Sequence, residues 1–419
     1  GTGAITNGLK LEVVWRLRDR YRRTVIDDVR PNQHYTVWQS PDDETYSFPK
    51  IPQPEPIFES ADRKLFGPGG DESMESRSLH ADAPFDDFAY QPLLPNRLSQ
   101  LGPGVSWIDL NADGWDDLVV GSGRGGRLKI QMSDGRGGFQ PRSGAEAPLD
   151  QTTVLGWPTR AGAMRLLVGQ ANFEEPDRNF ERPDSAIIVD PAKTDPVVGA
   201  IPGHRAATGP MALADVDGDG DLDVFAGGRV TPARYPAPTD SRLFLNDGGT
   251  LKIDGMNQGL LSGIGLISGA TFGDLDDDGD ADLVLAPEWG PITVLLNQDG
   301  RFEDATEKLG FAKKTGWWNS VALGDLDGDG RLDIVAGNWG RNSKYEHSYS
   351  EAEPLRMAYA DFDTNGVLDI VEYHFDKETR KLVPERGRSC STRAMPFIGM
   401  RNPTFEAFGS GSLDEVYGR

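Results

Sequence analysis

Asp215-Val-Asp217-Gly-Asp219-Gly-Asp-Leu-Asp223 runs directly into Val-Phe-Ala-Gly at 224–227. The first nine residues offer oxygen donors at positions 1, 3, 5 and 9. The Gly at position 6 permits the sharp turn that would wrap the chain around a hard cation wanting roughly six to eight oxygens. The short apolar run behind them reads as a buried strand. The same phrase recurs four more times, with candidate ligands Asp109, Asn111, Asp113 and Asp117; Asp274, Asp276, Asp278 and Asp282; Asp325, Asp327, Asp329 and Asp333; and Asp361, Asp363, Asn365 and Asp369. One such stretch could be a surface turn rich in Asp and Gly, but five in register point to a calcium-loop repeat holding about five ions.

Each loop is followed by an apolar run: 117–121, 223–227, 282–286, 333–337 and 369–372. Second runs such as Leu128-Lys-Ile-Gln-Met, Leu243-Phe-Leu-Asn and Val294-Leu-Leu-Asn follow, with Asp-Gly pairs between strands as tight hairpin chemistry. The period is strand, loop, strand, strand, turn, strand. The first aspartates are spaced 106, 59, 51 and 36 residues apart. The first interval is about double the next two, so a unit without a metal loop is expected near 152–190, with strands at Met164-Arg-Leu-Leu-Val-Gly and Ser185-Ala-Ile-Ile-Val-Asp. Six units of four strands predict an all-β fold, a β-propeller.

The formal charge of −23 is partly ligand: five divalent ions would leave about −13. That balance disfavours nucleic acid, whose phosphates need clustered Lys and Arg. A single cysteine, Cys390, rules out an internal disulfide framework, and it reads as incidental rather than nucleophilic. No apolar run approaches the eighteen or so residues of a membrane span. The histidines, 34, 80, 204, 347 and 374, show no metal-ligand spacing, and no nucleophile-elbow pattern is present, so no catalytic residue is assigned. The stretch from Asp361 to Glu372 also satisfies the EF-hand spacing. The other loops carry Val120, Ala226, Leu285 and Ala336 at the twelfth position, so Glu372 is expected on a propeller strand.

Leu9, Leu11, Val13 and Trp15 alternate with polar residues as a half-buried strand, with Val25-Ile26 and Tyr35-Thr-Val37 as expected partners across turns at 18–19 and 31–32. Residues from Ser40 to about Arg77 read as a linker. Pro403–Phe408 and Ser412–Tyr417 read as short helical pieces.

These loops resemble FG-GAP/VCBS repeats. Residues 11–37 resemble the end of an ASPIC/UnbV domain, as in the cartilage acidic protein-like family. Phe85-Asp-Asp-Phe through Pro95, Ser99–Pro103, Gly316-Trp-Trp-Asn319, Gly337-Asn-Trp-Gly340 and Glu288-Trp-Gly-Pro-Ile292 resemble signatures of its large bacterial members. The resemblance implies an exported calcium-binding protein, extracellular, periplasmic or at the cell surface. It also implies an internal piece of a longer chain: 1–39 as an ASPIC/UnbV-like remnant, 40–78 as linker, and 79–419 as a propeller truncated at its C-terminal end.

Residues just after the second strand of each unit should converge on one face. Arg229, Arg234, Tyr235, Glu288, Trp289, Asn338, Trp339 and Asn342 are the candidate ligand-binding set, an aromatic platform with polar groups suited to glycan or protein. Trp317 and Trp318 are expected to pack between units. The reading is a binding or adhesion module; the alternative is a secreted hydrolase or lyase with structural calcium.

Overall fold

The structure is a computed structural model that describes residues 9–16, 21–30, 35–47, 83–174, 183–340, 343, 345, 350 and 352–418. The chain divides into two compact units, Gly1–Ser60 and Ala61–Arg419.

In the first unit β1 (Leu9–Arg16) pairs antiparallel with β2 (Tyr21–Val29), Val13 facing Thr24 and Trp15 facing Arg22. The Trp15 indole N–H donates to Thr24 Oγ1 at 2.8 Å. The alternating pattern thus makes the expected hairpin with Val25 and Ile26. The third strand differs from expectation: β3 (Glu44–Tyr46) pairs with β2, whereas 35–37 form no strand. Tyr35 has another task, because its hydroxyl accepts the Arg30 N–H at 2.7 Å. β3 therefore lies inside the stretch expected as linker. Both expected turns, and residues 48–82, lie outside the described residues.

The second unit is a succession of antiparallel strand groups in chain order. The first is β4 (Val105–Ile108), β5 (Asp117–Val120), β6 (Arg127–Ser133) and β7 (Phe139–Glu146). The second is β8 (Asp150–Pro158), β9 (Met164–Ala171), β10 (Ala186–Val189) and β11 (Val197–Ile201), the unit expected without a metal loop. The third is β12 (Ala207–Ala214), β13 (Asp223–Val230), β14 (Arg242–Asp247) and β15 (Thr250–Ile253). The fourth is β16 (Leu266–Gly273), β17 (Asp282–Pro291), β18 (Thr293–Gln298) and β19 (Arg301–Asp304). It continues into β20 (Thr315–Gly324) and β21 (Asp333–Asn338), because β17 pairs with β20 beyond Glu288. The last group is β22 (Arg356–Ala360), β23 (Asp369–Asp376) and β24 (Lys381–Pro384). In each group except the second, the Asp-rich loop joins the first strand to the next.

The apolar runs behind four of the loops are buried on both faces, which explains why they do not alternate with polar residues; the run 333–337 differs from the expected buried strand, with Val335 of β21 46% exposed. Leu283 and Leu285 of β17 pack with Phe225 and Leu243 of the third sheet. Their neighbours Val284 and Ala286 pack with Val321, Leu323 and Ile334 of β20 and β21. Likewise Leu167 of β9 joins Val224 and Phe244, while Leu166 and Val168 join Val119 and Ile130 of the first sheet. Successive sheets are thus glued face to face, each fully buried Leu or Phe contributing roughly 1.5–3 kcal/mol.

The first strands of successive sheets also meet edge to edge. Thr152 Oγ1 and Thr153 Oγ1 of β8 donate to the carbonyls of Thr208 and Gly209, each at 2.9 Å. Gly269 of β16 runs so close to β20 that a Cβ there would lie 2.9 Å from Ser320 Cα and 2.8 Å from Val321 N. Only glycine allows that approach.

The last group builds a different core. Ile370 and Val371 of β23 share a core with Leu94, Leu98, Phe173 and Tyr235, with Ile398 and Val416 of the C-terminal helices, and with Met395 between the first two of those helices. Those helices are Arg388–Ala394, Pro396–Arg401, Phe405–Ser410 and Leu413–Tyr417. The last two match expectation, and the Ser412/Glu415 capping box explains the final one. The first two were not anticipated: Arg388–Ala394 begins at Gly387 with no side-chain cap, so no start signal marks it. Gln91, fully buried, donates from its amide nitrogen to the carbonyls of Tyr235 (2.5 Å) and Leu368 (2.7 Å) and ties this group to the β13–β14 connection.

Candidate functional site

The five loops share one hydrogen-bond plan. The first Asp accepts the N–H of the position-6 Gly: Gly114 to Asp109, Gly220 to Asp215, Gly279 to Asp274, Gly330 to Asp325 and Gly366 to Asp361, at 2.9–3.0 Å. The ninth residue accepts the N–H of position 2, as Val216 to Asp223 and Leu275 to Asp282, both 2.8 Å. Its other oxygen reaches across the sheet, taking Ser133 N–H at Asp117, Asn246 N–H at Asp223 and Asn297 N–H at Asp282. That carboxylate therefore locks loop to sheet before any ion is considered. Position 4 is left-handed in every copy, with φ of 59–79° at Ala112, Gly218, Asp277, Gly328 and Thr364.

Positions 1, 3 and 9 converge in four loops. Asp215, Asp217 and Asp223; Asp274, Asp276 and Asp282; Asp325, Asp327 and Asp333; and Asp361, Asp363 and Asp369 each bring one carboxylate oxygen within 4.8 Å of the others. The position-5 carboxylates Asp219, Asp278 and Asp329 accept the N–H of position 7 with one oxygen. In the first loop the Asn111 carboxamide donates to Asp113 Oδ2 at 2.9 Å, and the loop forms no such carboxylate triad.

Crowded like charges repel, and a bound cation would relieve them. Burial first, then the neighbouring loop carboxylates, pushes Asp223 up to about 6, and the same causes push Asp369 up to about 6. Burial also raises Asp282. An all-oxygen, triply anionic donor set with no nitrogen or sulfur fits a hard divalent cation, so these residues fit the implied group. Glu372 does not close the fifth loop: it is buried in β23 and accepts from Tyr345 Oη (2.5 Å) and Arg386 Nε (3.2 Å). The strand reading, not the EF-hand one, describes it.

The candidate ligand residues divide into a buried chain and an open cavity. Arg229 Nη1 lies 2.5 Å from Glu288 Oε2, and both side chains are buried. Tyr235 Oη donates to Glu288 Oε1 at 2.8 Å and accepts the Trp289 indole N–H at 2.6 Å. Burial and the Glu288 charge raise the Tyr235 phenol well above its ordinary value, so it stays a donor. Trp289 holds φ +65°, a costly conformation for a bulky residue, at the bulge where β17 exchanges β16 for β20.

That bulge aims Trp289 at two further tryptophans. Trp289 and Trp317 have ring centroids 5.0 Å apart, and Trp317 stacks on Trp339 at 4.4 Å and 28°. Trp317 is buried, whereas Trp339 is 40% exposed. With Thr315, Asn338, Tyr345 and Leu355 they line a cavity of about 220 Å³. Trp318 packs inward against the fourth sheet. Trp317 packs as expected and also lines the cavity. Leu355 was not anticipated, because it lies just before β22 and carries no local motif; Tyr345 belongs to the stretch 342–345, which resembles a family signature, but it was not among the candidate ligand residues. Arg234 is exposed; Asn342 lies outside the described residues.

Residues 215–285 and 274–336 match the FG-GAP-like repeat family, so the chain carries FG-GAP-like repeats in two places. Comparison with curated proteins gives no match. Among solved structures, the chain is similar to a lectin from Agrocybe aegerita described as recognising non-reducing terminal N-acetylglucosamine. That likeness has 13% identity and a TM-score of 0.31, covering 88% of this chain and 76% of that one. It is also similar to BBS1N in complex with ARL6DN, at 14% identity and a TM-score of 0.29, covering 62% of this chain and 93% of that one. At these scores neither likeness bears on function.

Proposed function

We propose that this chain is a calcium-braced β-propeller of FG-GAP/VCBS blades that binds glycan outside the cytosol, at a cell surface or in the periplasm. Face-to-face packing of successive sheets and the edge contacts of their first strands support the propeller. The four aspartate triads support calcium, the hard cation available at millimolar concentration outside cells. The ASPIC/UnbV relationship of the Gly1–Ser60 unit belongs to the same proposal and rests on the sequence of 11–37.

One observation carries the ligand class: the cavity edged by Trp339, stacked on Trp317. An exposed indole face held by a second ring is a platform for the C–H face of a sugar, and Asn338 and Thr315 supply hydrogen-bonding groups on its wall. The test is a glycan array probed with calcium-loaded protein and with Trp339→Ala and Trp318→Ala variants. Glycan binding lost in Trp339→Ala and kept in a folded Trp318→Ala supports the reading. Binding of protein but of no glycan, or glycan binding that survives Trp339→Ala, overturns it.

A further inference from the structure

A second cavity opens where the first strands of the sheets converge. Its volume is about 270 Å³, and it is lined by Thr152 and Thr153 of β8, Thr208 of β12, Ser268 of β16, Asn319 of β20 and the buried Arg229. Four strands, drawn from three successive groups, thus each send a hydroxyl or carboxamide side chain to one space. This is no accident of surface polarity, since Thr208 and Arg229 are only 4% and 7% exposed.

We propose that this cavity is a second binding site, for the neutral, hydroxyl-rich ring of a monosaccharide. Size limits it to one ring, because about 270 Å³ falls below the roughly 300–1,000 Å³ of pockets for drug-sized ligands. Charge selects neutrality. Arg229 already faces Glu288 at 2.5 Å, so an entering carboxylate would find no uncompensated cation there, inside a chain of net charge −23. Hydrogen-bonding capacity selects a polyol. Ser268 Oγ is buried without a protein partner, a cost that a ligand hydroxyl would relieve. Thr152 and Thr153 spend their protons on the carbonyls of Thr208 and Gly209, which leaves their oxygens as acceptors toward the cavity. Asn319 is exposed and also lines the cavity.

The site is separate from the tryptophan-lined cavity, although β20 contributes Trp317 to one and Asn319 to the other. Calorimetry and saturation-transfer NMR on the calcium-loaded full chain would use glucose, galactose, mannose and glucuronate as probes. Each sugar would be offered free and as the terminal residue of a neoglycoprotein, which separates a free metabolite from a glycan end as the source. We expect at least one neutral sugar to bind and glucuronate to bind more weakly than glucose. Ser268→Ala should weaken binding about three- to tenfold with the melting temperature unchanged, as loss of one ligand hydrogen bond implies. Thr208→Val should weaken it similarly. Sugar binding that survives Trp339→Ala yet falls in Ser268→Ala locates the ligand here even if the aromatic cavity proves empty. The proposal is overturned if no probe binds, if glucuronate binds better than glucose, if Ser268→Ala has no effect, or if Trp339→Ala abolishes the same binding.

Discussion

The third-sheet loop offers two aspartates that should fail in different ways when removed. Asp217 is exposed and accepts only the Asp219 N–H, at 3.3 Å, among the described residues. Asp223 is fully buried and accepts two main-chain N–H groups, Val216 and Asn246, at 2.8 Å each. If both hold calcium, both alanine variants lose the stabilisation that the ion confers. For a site filled at a hundred times its dissociation constant that is about 2.7 kcal/mol. Asp223→Ala alone also strands two buried donors at roughly 1–3 kcal/mol each, a further loss of about 4 kcal/mol that persists without metal. The assay is urea unfolding of wild type and both variants, in millimolar calcium and in excess chelator. Asp217→Ala should match wild type in chelator and fall short of it in calcium. Asp223→Ala should fall short in both, by more. Equal calcium dependence of wild type and Asp217→Ala would falsify metal binding by this loop. Wild-type stability of Asp223→Ala in chelator would refute the locking role of its carboxylate.

Other expectations follow from the same contacts. Tyr235→Phe leaves the Trp289 indole N–H and Glu288 Oε1 without their partner, so urea unfolding should show a loss of about 3 kcal/mol, with a changed tryptophan emission spectrum. Gln91→Ala releases two buried carbonyls that join the last strand group to the β13–β14 connection, and should cost about 2 kcal/mol in the same assay. For pH, Asp223 and Asp369 sit near 6 in the metal-free fold, above their unfolded value of 3.8. Their contribution to stability is therefore greatest below about pH 4 and is lost as pH rises through 6. For these groups chelated protein should melt higher at pH 5 than at pH 7, and calcium, which needs the ionised carboxylates, should reverse that order; scanning calorimetry at both pH values checks it.

Much of this architecture is local and therefore readable in the residues themselves. A loop of the expected metal-binding kind needs oxygen-bearing side chains at odd positions, a glycine at the sixth and an apolar strand behind, all within about a dozen residues, so its five sequence copies announce themselves, and four of them form carboxylate triads. The doubled interval before Asp215 disclosed the second sheet, whose strands β9 and β10 lie where the apolar runs stand. The hydrophobic twelfth positions likewise separated these loops from EF-hands. Locality also marks the failures. Tyr35–Val37 has the composition of a strand, yet β2 is completed by Glu44–Tyr46. Arg388–Ala394 is a helix whose Ala394 joins the core cluster that contains Ile370 and Val371, with no side-chain cap in its sequence to declare it.

The division is sharpest at the two cavities. The repeating strand plan, the aspartate loops and the presence of Trp289 and Trp339 near sheet edges are written in the chain, because each depends on neighbours a few residues away. That Arg229, Glu288 and Tyr235 form a buried chain orienting Trp289 was decided by tertiary structure. So was the meeting of Trp317 with Tyr345, and of Thr152, Thr208, Ser268 and Asn319 around one space. Those encounters depend on the pitch between sheets, which is set by side chains buried on both faces, and no local pattern encodes it.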